Sequence, residues 1–303
     1  MIDTSDTRLI RTREDLRYVL SGCEGSTGLV MTKGNVHEGH VALVTEARHK
    51  CDTVVVSIFV DPLDDTVNRP REAADSSNIF SQTLDRDFSA LAAAGADIVF
   101  APSTDTMYPS GLPHITINPG YLAGEYEGKA KPGYFSALCQ LSVKMLNLVE
   151  PDSVFMGQKD AQELAVIRQL VRDFDYPITV VSVPTVRDGQ GVPVSNQLMM
   201  LSEKGREQAA MLSRSLRLGI QEAAKSGSAQ AVLKVTEEAA VQATGVDVDY
   251  VVLVDALSFE DLETEGPKTA CLVVAGVLSD TDREGKQQSI RLTDNVLVVL
   301  DNK

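Results

Sequence analysis

The chain has 303 residues, 43% of them hydrophobic and 23% charged, which is typical of a globular protein large enough for two domains. Its formal net charge of −15 argues against nucleic acid or an anionic membrane surface as a partner. No apolar run approaches the length of a membrane span, and the polar start of the chain lacks the apolar core of a signal peptide, so we expect a cytoplasmic protein. Four scattered cysteines predict neither a zinc site nor a disulfide framework.

The first elements surround a histidine-rich loop. Thr12 is a candidate N-cap for a short helix ending at Leu20. The apolar run Leu29–Met31 predicts a buried strand, which is followed by a glycine-containing turn and then a helix over residues 40–50. A strand, a tight loop and a helix N-terminus in this order are typical of an anion-binding site.

The loop carries two of the four histidines of the chain, His37 and His40, with Gly39 between them. At positions i and i+3 across the start of a helix, both rings can face the same phosphate. The simpler interpretation is two surface histidines after a glycine turn. Their place at the end of a parallel strand, where open α/β sheets bind ligands, favours the phosphate site. The His-x-Gly-His pattern marks nucleotidylyltransferases and their relatives, which act on the α-phosphate of ATP.

Further strands and helices alternate along the first 183 residues. Residues 63–81 are polar and predict a long loop or lid, with disorder as the alternative. The alternation predicts an α/β fold with a Rossmann-like, doubly wound parallel sheet. We predict strands at residues 53–60, 97–101, 114–118, 153–156 and 178–183, and helices at 83–94, 134–149 and 159–173.

The pattern changes after about residue 187. Two helices, over residues 202–226 and 230–244, precede strand-like runs at residues 249–254, 269–277 and 288–292. We therefore expect a nucleotide-binding domain over residues 1–187 and a smaller α+β lid domain over residues 188–303. The glycine-rich stretch from Asp188 to Gly191 is a plausible hinge.

Several ordered motifs resemble the pantothenate synthetase (pantoate–β-alanine ligase) family. They are Thr32-Lys33-Gly34-Asn35-Val36-His37-Glu38-Gly39-His40, Val56-Ser57-Ile58-Phe59-Val60-Asp61-Pro62, Gly157-Gln158-Lys159-Asp160-Ala161-Gln162, Val183-Pro184-Thr185-Val186-Arg187 and Gly245-Val246-Asp247-Val248-Asp249-Tyr250-Val251. The resemblance implies a homodimer that uses ATP and Mg²⁺, adenylates the carboxylate of pantoate and lets the amine of β-alanine displace AMP. Mg²⁺ is then held on the ATP phosphates rather than by protein side chains.

The resemblance also implies roles for individual residues. His37, His40 and Lys159 are the expected catalytic residues, because fixed donors and a cation stabilise the charge that develops on the leaving pyrophosphate. Asp160 is expected to hold the ribose or orient Lys159, with an N-cap role as the rival. Met156 and Val186 are equally compatible with a place in the core. The expected ATP-binding residues are Thr32, Gly34, His37, Gly39, His40, Met156, Gly157, Lys159, Asp160, Val186, Ser195 and Gln197.

The chain departs from the family pattern where the acid substrate is expected to bind. Two glutamines that hold pantoate in the family are replaced by Asp64 and Glu163, and an arginine on the triphosphate is replaced by Gln197. Lys33 either neutralises one of the new carboxylates, or the two carboxylates bind the ammonium of an amino-acid-like substrate. The remaining changes are Asn to Asp61, Arg-Pro-Gly-His to Lys131-Pro132-Gly133-Tyr134, and Pro-Thr-Met-Gly to Met31-Thr32-Lys33-Gly34. The expected substrate-binding residues are Lys33, Asp61, Asp64, Gln162 and Glu163.

Three hypotheses of different kinds follow. The first is an ATP-dependent ligase that makes pantothenate or a close analogue, favoured because His37, His40 and Lys159 are present. The second is a diverged paralogue that uses another acid or another amine. The third is a non-catalytic ATP-binding homologue. A plain nucleotidylyltransferase is a weaker fourth, because the family resemblance continues through the second half of the chain.

Overall fold

The computed structural model describes residues 7–64, 76–262, 268–281 and 287–301. These residues form two compact units. The first takes its residues from Met1–Gly157 and Val166–Val183, and the second from Gln158–Ala165 and Pro184–Lys303. The segment that follows Gly157 therefore belongs to the second unit although it lies early in the chain.

The first unit is built on a six-stranded parallel sheet with the strand order β1-β4-β3-β2-β5-β6. The strands are β1 (Arg8–Ile10), β2 (Thr27–Thr32), β3 (Thr53–Ile58), β4 (Ile98–Phe100), β5 (Ser153–Gly157) and β6 (Thr179–Val183). All six residues of β3 are buried, as expected for a strand that is covered on both faces. The predicted Rossmann-like parallel sheet is confirmed.

Helices cover this sheet. They are α1 (Arg13–Leu20), α2 (Glu38–Lys50), α3 (Ser76–Ala94), α4 (Thr104–Met107), α5 (Glu127–Ala130), α6 (Tyr134–Val149) and α7 (Ala161–Asp173), the last with its first residues in the second unit. Thr12 caps α1 by accepting a hydrogen bond from the backbone N–H of Asp15, as predicted. One core cluster contains Phe100, Phe135 and Met145, and another contains Val30, Val54 and Leu91.

Several predicted elements need correction. Residues 114–118 form no strand, because the carbonyls of Ile115 and Ile117 accept hydrogen bonds from the side chains of Gln140 and Ser136 instead of from a neighbouring strand. The polar stretch over residues 63–81 is not a loop to its end, since α3 begins at Ser76. The rest of that proposed lid, residues 65–75, lies outside the described residues. The three-residue strand β1 was not predicted from the sequence.

The second unit combines three helices with an antiparallel sheet of order β7-β8-β9. The strands are β7 (Val246–Asp255), β8 (Lys268–Thr281) and β9 (Gln287–Leu300), and the helices are α8 (Asn196–Met200), α9 (Glu203–Ser226) and α10 (Ala229–Val241). Gly219 lets α9 approach its neighbours, because a Cβ there would lie 2.4 Å from Leu272 Cδ2 and 2.5 Å from Thr236 Oγ1. The predicted α+β module is confirmed, with β9 extending eight residues beyond the predicted end at Leu292.

Candidate functional site

The carboxyl end of β2 lies at the switch point of the parallel sheet. The chain leaves β2 through α2 to reach β3 on one side, whereas β5 pairs with β2 on the other side. Open α/β sheets bind ligands in the crevice where the winding direction reverses in this way. Thr32 and Gly157 end β2 and β5 at this switch point, and Met156 beside them is half-buried.

The turn after β2 depends on two consecutive residues with left-handed backbone. Gly34 has φ +86° and Asn35 has φ 54°. A buried carboxylate holds this turn, since Asp87 Oδ2 accepts a hydrogen bond from the backbone N–H of Asn35 at 2.7 Å and Oδ1 accepts one from Val36 at 2.9 Å. Asp87, on α3, is only 1% exposed. It fixes the backbone that leads into the histidines.

His37 and His40 cap the N-terminus of α2 together. His37 is the N-cap residue, and its Nδ1 accepts a hydrogen bond from the backbone N–H of Gly39 at 3.1 Å. His40 Nδ1 in turn accepts one from the backbone N–H of His37 at 3.3 Å. This is a capping box in which two imidazoles take the places that Ser or Thr and Glu usually occupy.

The cap fixes the tautomer of both rings. A nitrogen that accepts a hydrogen bond carries no proton, so in each neutral ring the proton resides on Nε2. His40 Nε2 then donates to Thr32 Oγ1 at 3.2 Å, and the same oxygen accepts from the backbone N–H of Gly34 at 3.1 Å. The ring centroids of the two histidines are 4.0 Å apart. The loop thus presents N–H groups at a helix N-terminus, which suits an anion such as phosphate.

Lys33 links the turn after β2 with the loop after β3. Its Nζ lies 2.6 Å from Asp64 Oδ2 and 5.0 Å from the centre of the Tyr134 ring. The Asp64 side chain is 5% exposed, whereas the Lys33 side chain is 48% exposed. Lys33 thus pairs with Asp64, one of the two carboxylates that replace glutamines of the family pattern.

Asp61 forms a second buried acidic group on the loop after β3. Its carboxylate accepts hydrogen bonds from the Tyr108 hydroxyl, at 3.0 Å to each oxygen, and from the backbone N–H of Leu63 at 3.0 Å. Burial raises the pKa of Asp61 above its usual range, although these hydrogen bonds oppose the shift. Burial and the neighbouring Asp61 carboxylate also raise the pKa of Tyr108, so its hydroxyl remains a donor.

In the second unit, Lys159 lies on the short 3-10 turn Gln158–Asp160. Its Nζ is 2.9 Å from Asp160 Oδ1. Burial alone lowers the pKa of Lys159, but the carboxylates of Asp160, Glu163 and Asp294 more than offset this effect and raise it. The ammonium therefore stays charged at neutral pH. Gln162 is buried on the first turn of α7, beside the half-buried Glu163.

The remaining predicted ATP-binding residues lie around α8. Ser195 is the N-cap of this helix and accepts a hydrogen bond from the backbone N–H of Leu198 at 3.2 Å, so its side chain has a structural role. Val186 is half-buried and accepts a backbone hydrogen bond from Val194. Gln197 is exposed.

Comparisons with known proteins agree over nearly the whole chain. The sequence profile described as pantoate–β-alanine ligase matches residues 8–297. The chain belongs to the pantoate–β-alanine ligase family. It is 37% identical over 299 residues to the pantothenate synthetase of Salinispora arenicola, covering 97% of this chain and 98% of the relative. The identity to the enzyme of Corynebacterium glutamicum is 39% over 280 residues, covering 89% of this chain and 93% of the relative.

Solved structures give the same result. The fold superposes on pantothenate synthetase from Thermus thermophilus with a TM-score of 0.80 at 32% identity, covering 96% of this chain and 99% of the other. The pantoate–β-alanine ligase of Francisella tularensis, crystallised with β-γ ATP and β-alanine, matches with a TM-score of 0.71 at 25% identity, covering 96% of this chain and 97% of the other.

Within this member of the ligase family, the residues that support the predicted site carry no distinctive signal in the local sequence. Asp87 lies 50 residues beyond His37, and nothing in its sequence surroundings distinguishes it from the exposed Asp85 on the same helix. Arg187 belongs to a motif of the family, and its guanidinium forms a bidentate pair with the buried Asp294, at 2.9 and 2.8 Å. Such partners are distant in sequence, and only the fold brings them together.

Proposed function

We propose that this protein joins pantoate to β-alanine in an ATP-dependent reaction, and that His37, His40 and Lys159 are its catalytic residues. The observation that carries the proposal is the histidine capping box, which fixes both imidazoles with their protonated Nε2 atoms at a helix N-terminus. Family membership supplies the reaction, and the described contacts supply the groups that can perform it.

In the first step, a carboxylate oxygen of pantoate attacks the α-phosphorus of ATP. The bond to the bridging oxygen breaks, pyrophosphate leaves and pantoyl-adenylate forms. Negative charge accumulates on the departing pyrophosphate, and donors that are already oriented towards it lower the barrier. We assign this role to the Nε2–H group of His37, to the Nε2–H group that His40 shares with Thr32 Oγ1, and to the ammonium of Lys159, whose raised pKa keeps it charged.

In the second step, the amine of β-alanine attacks the acyl carbon of the adenylate. The nitrogen loses a proton, the bond from the acyl carbon to the AMP oxygen breaks, and pantothenate and AMP are released. We assign acid-substrate binding to Lys33, Asp61, Asp64, Gln162 and Glu163. ATP binding is assigned to the three catalytic residues together with Thr32, Gly34, Gly39, Met156, Gly157, Asp160, Val186, Ser195 and Gln197.

The finer points of the proposal are Mg²⁺, a homodimer and a cytoplasmic location. The groups assigned to the phosphates are cations and N–H donors, so Mg²⁺ fits as a companion of the ATP phosphates, where it neutralises charge. Among the described residues, no group of three or more His, Cys, Asp or Glu is arranged to hold a metal ion. No helix in the described part of the chain is long and apolar enough to cross a membrane.

The proposal is tested by measuring AMP and pyrophosphate release with ATP, Mg²⁺, pantoate and β-alanine, omitting each component in turn. We expect AMP formation to depend on pantoate and β-alanine and to be lost in Lys159→Ala. The matched control is Lys204→Ala, which removes an exposed lysine of the same unit. ATP binding without turnover on any tested acid would contradict the proposal. Turnover with another acid would instead favour the diverged paralogue.

A further inference from the structure

A buried amide of the C-terminal sheet, that of Asn295, is hydrogen-bonded to the backbone that carries Lys159. Asn295 Nδ2 donates hydrogen bonds to two consecutive carbonyl oxygens, that of Gln158 at 3.0 Å and that of Lys159 at 2.7 Å. Asn295 is 3% exposed and lies in β9, within the same compact unit as the 3-10 turn. These two contacts join both carbonyl groups that flank the Lys159 Cα atom to one rigid strand, which helps to fix the orientation of the turn.

Asn295 is itself held by an ionic network. The Asp294 carboxylate accepts hydrogen bonds from its own neighbour, the backbone N–H of Asn295, at 2.7 Å, and from Ser213 Oγ at 2.7 Å. Arg187 pairs with both oxygens of Asp294 and also donates to the carbonyl of Asn295 at 2.9 Å. Charge-assisted bidentate pairs of this kind are strong and geometrically specific.

We infer that Asn295 is a positioning residue for Lys159, and that Asp294 and Arg187 hold it in place. This inference rests on the proposed function, because it assumes that Lys159 acts on the phosphates of ATP. Asn295 does not donate to the ammonium itself. It fixes the carbonyl groups of Gln158 and Lys159, which lie on either side of the Lys159 Cα atom. The positions that the ammonium can reach are limited in this way.

The identity of the side chain matters at this position. The two carbonyl oxygens are acceptors, so only a side chain with N–H or O–H donors can satisfy both at once. Carboxamide nitrogen has two protons and meets this requirement, whereas an aspartate of nearly the same shape places a negative oxygen against both carbonyls. A polar residue that only supported the strand would not need two N–H donors at this position.

The first test compares Asn295→Ala and Asn295→Asp with Ser213→Ala, which removes a hydrogen bond to Asp294 but leaves both carbonyl contacts in place. A displacement of a catalytic group by about 1 Å costs roughly 100-fold in rate, so we expect kcat to fall by about 10- to 100-fold in both Asn295 variants. The KM for β-alanine should stay within about twofold, and Ser213→Ala should retain nearly full kcat. If Asn295→Ala does not fold, Asn295→Gln keeps the donor on a longer arm, and a smaller loss of kcat is then expected.

The second test does not depend on turnover. The Lys159 side chain is 19% exposed, whereas Lys204 is exposed and serves as an internal reference. Labelling with an amine-specific reagent, followed by mass spectrometry, should modify Lys159 several-fold faster in Asn295→Ala than in the wild type, with Lys204 unchanged. A folded Asn295→Ala protein with unaltered kcat and unaltered labelling would overturn the inference. If the wild type lacks ligase activity, the proposed function fails, and the labelling still decides whether Asn295 positions Lys159.

Discussion

The loops that follow β2 and β3 leave neighbouring strands at the same edge of the sheet, yet they are built from different chemistry. The β2 loop presents two imidazoles that are held by backbone hydrogen bonds. The β3 loop carries two buried carboxylates, Asp61 and Asp64, in places where the family sequence pattern has amides. The two histidines thus follow the family pattern, whereas the loop that we assign to the acid substrate has changed its charge.

The contacts show how that change is accommodated. Asp64 is compensated by Lys33, and Lys33 lies near the face of Tyr134. All three residues differ from the family pattern and all three meet in one contact, so the substitutions offset one another locally. Asp61 instead accepts hydrogen bonds from the Tyr108 hydroxyl and from the backbone N–H of Leu63. A new carboxylate is therefore accommodated at this edge in two ways, by an ion pair at Asp64 and by hydrogen bonds at Asp61.

The largest effect is expected from breaking the β2 loop at His40. In His40→Gln, glutamine keeps the reciprocal hydrogen bond of a capping box but removes the imidazole. We expect kcat to fall by about 100- to 1,000-fold with the melting temperature nearly unchanged. The matched control is His49→Gln, an exposed histidine on the same helix. Equal activity in the two variants would show that His40 serves only as a cap.

The second-largest effect is expected at the ion pair between Lys33 and Asp64. Lys33→Met leaves the buried Asp64 carboxylate without its 2.6 Å partner and should lower the free energy of unfolding by about 1–3 kcal/mol. The double variant Lys33→Met, Asp64→Gln restores the neutral pair of the family pattern, and we expect it to recover most of that loss and to keep or improve the KM for pantoate. Thermal unfolding and pantoate kinetics of both variants measure this coupling, and strictly additive losses would refute it.

Asp87 supports the β2 loop by accepting two of its backbone hydrogen bonds, and replacing it should have an intermediate effect on activity and stability. Asp87→Asn removes the charge from two backbone hydrogen bonds and forces one amide group towards an N–H donor. We expect a loss of about 1–2 kcal/mol in unfolding free energy and about a tenfold lower kcat. Asp85→Asn, on the exposed face of the same helix, is the control and should change neither value.

The smallest effect is a pH dependence that sharpens the difference between the two carboxylates. Burial raises the pKa of Asp61, so the folded protein holds this proton to a higher pH than the unfolded chain does. The stability that the protonated Asp61 carboxyl contributes is therefore complete at low pH. It is lost as the pH rises from the ordinary pKa range of aspartate through the raised pKa of Asp61. Asp61→Asn removes this loss, and we expect it to be more stable at neutral pH by up to about 1 kcal/mol.

Melting curves between pH 3 and pH 8 test this sign. The wild type should lose stability relative to Asp61→Asn as the pH rises, and Tyr108→Phe, which removes the phenolic donor to Asp61, should enlarge that loss. A difference in melting temperature between the wild type and Asp61→Asn that stays constant from pH 3 to pH 8 would contradict the raised pKa of Asp61.

The sequence predicts what depends on local patterns. Unbroken apolar runs such as that of β3 specify buried parallel strands, and the spacing of His37 and His40 places both at one helix start. Residues 114–118 alternate like a strand, but two of their carbonyl groups accept hydrogen bonds from side chains of α6. Such tertiary contacts cannot be read from local periodicity. The short β1 carries too few residues to give a pattern.

The candidate site also contains residues that local patterns predict and residues that they do not. The catalytic candidates sit in recognisable motifs, whereas Asp87 and Asn295 act through backbone groups that any residue possesses. Their partners are Asn35 and Lys159, at sequence distances of 52 and 136 residues. Nothing in the local sequence marks such contacts, because what they recognise is the main chain rather than a particular side chain.

The bond between Asn295 and the Lys159 carbonyl also joins parts of the chain that are synthesised at different times. It spans 136 residues, and closing a loop of that length carries an entropic cost. On the ribosome, the turn that carries Lys159 emerges long before the strand that holds it. Until β9 has paired with β8, the growing chain contains the ammonium but lacks the amide that fixes its backbone.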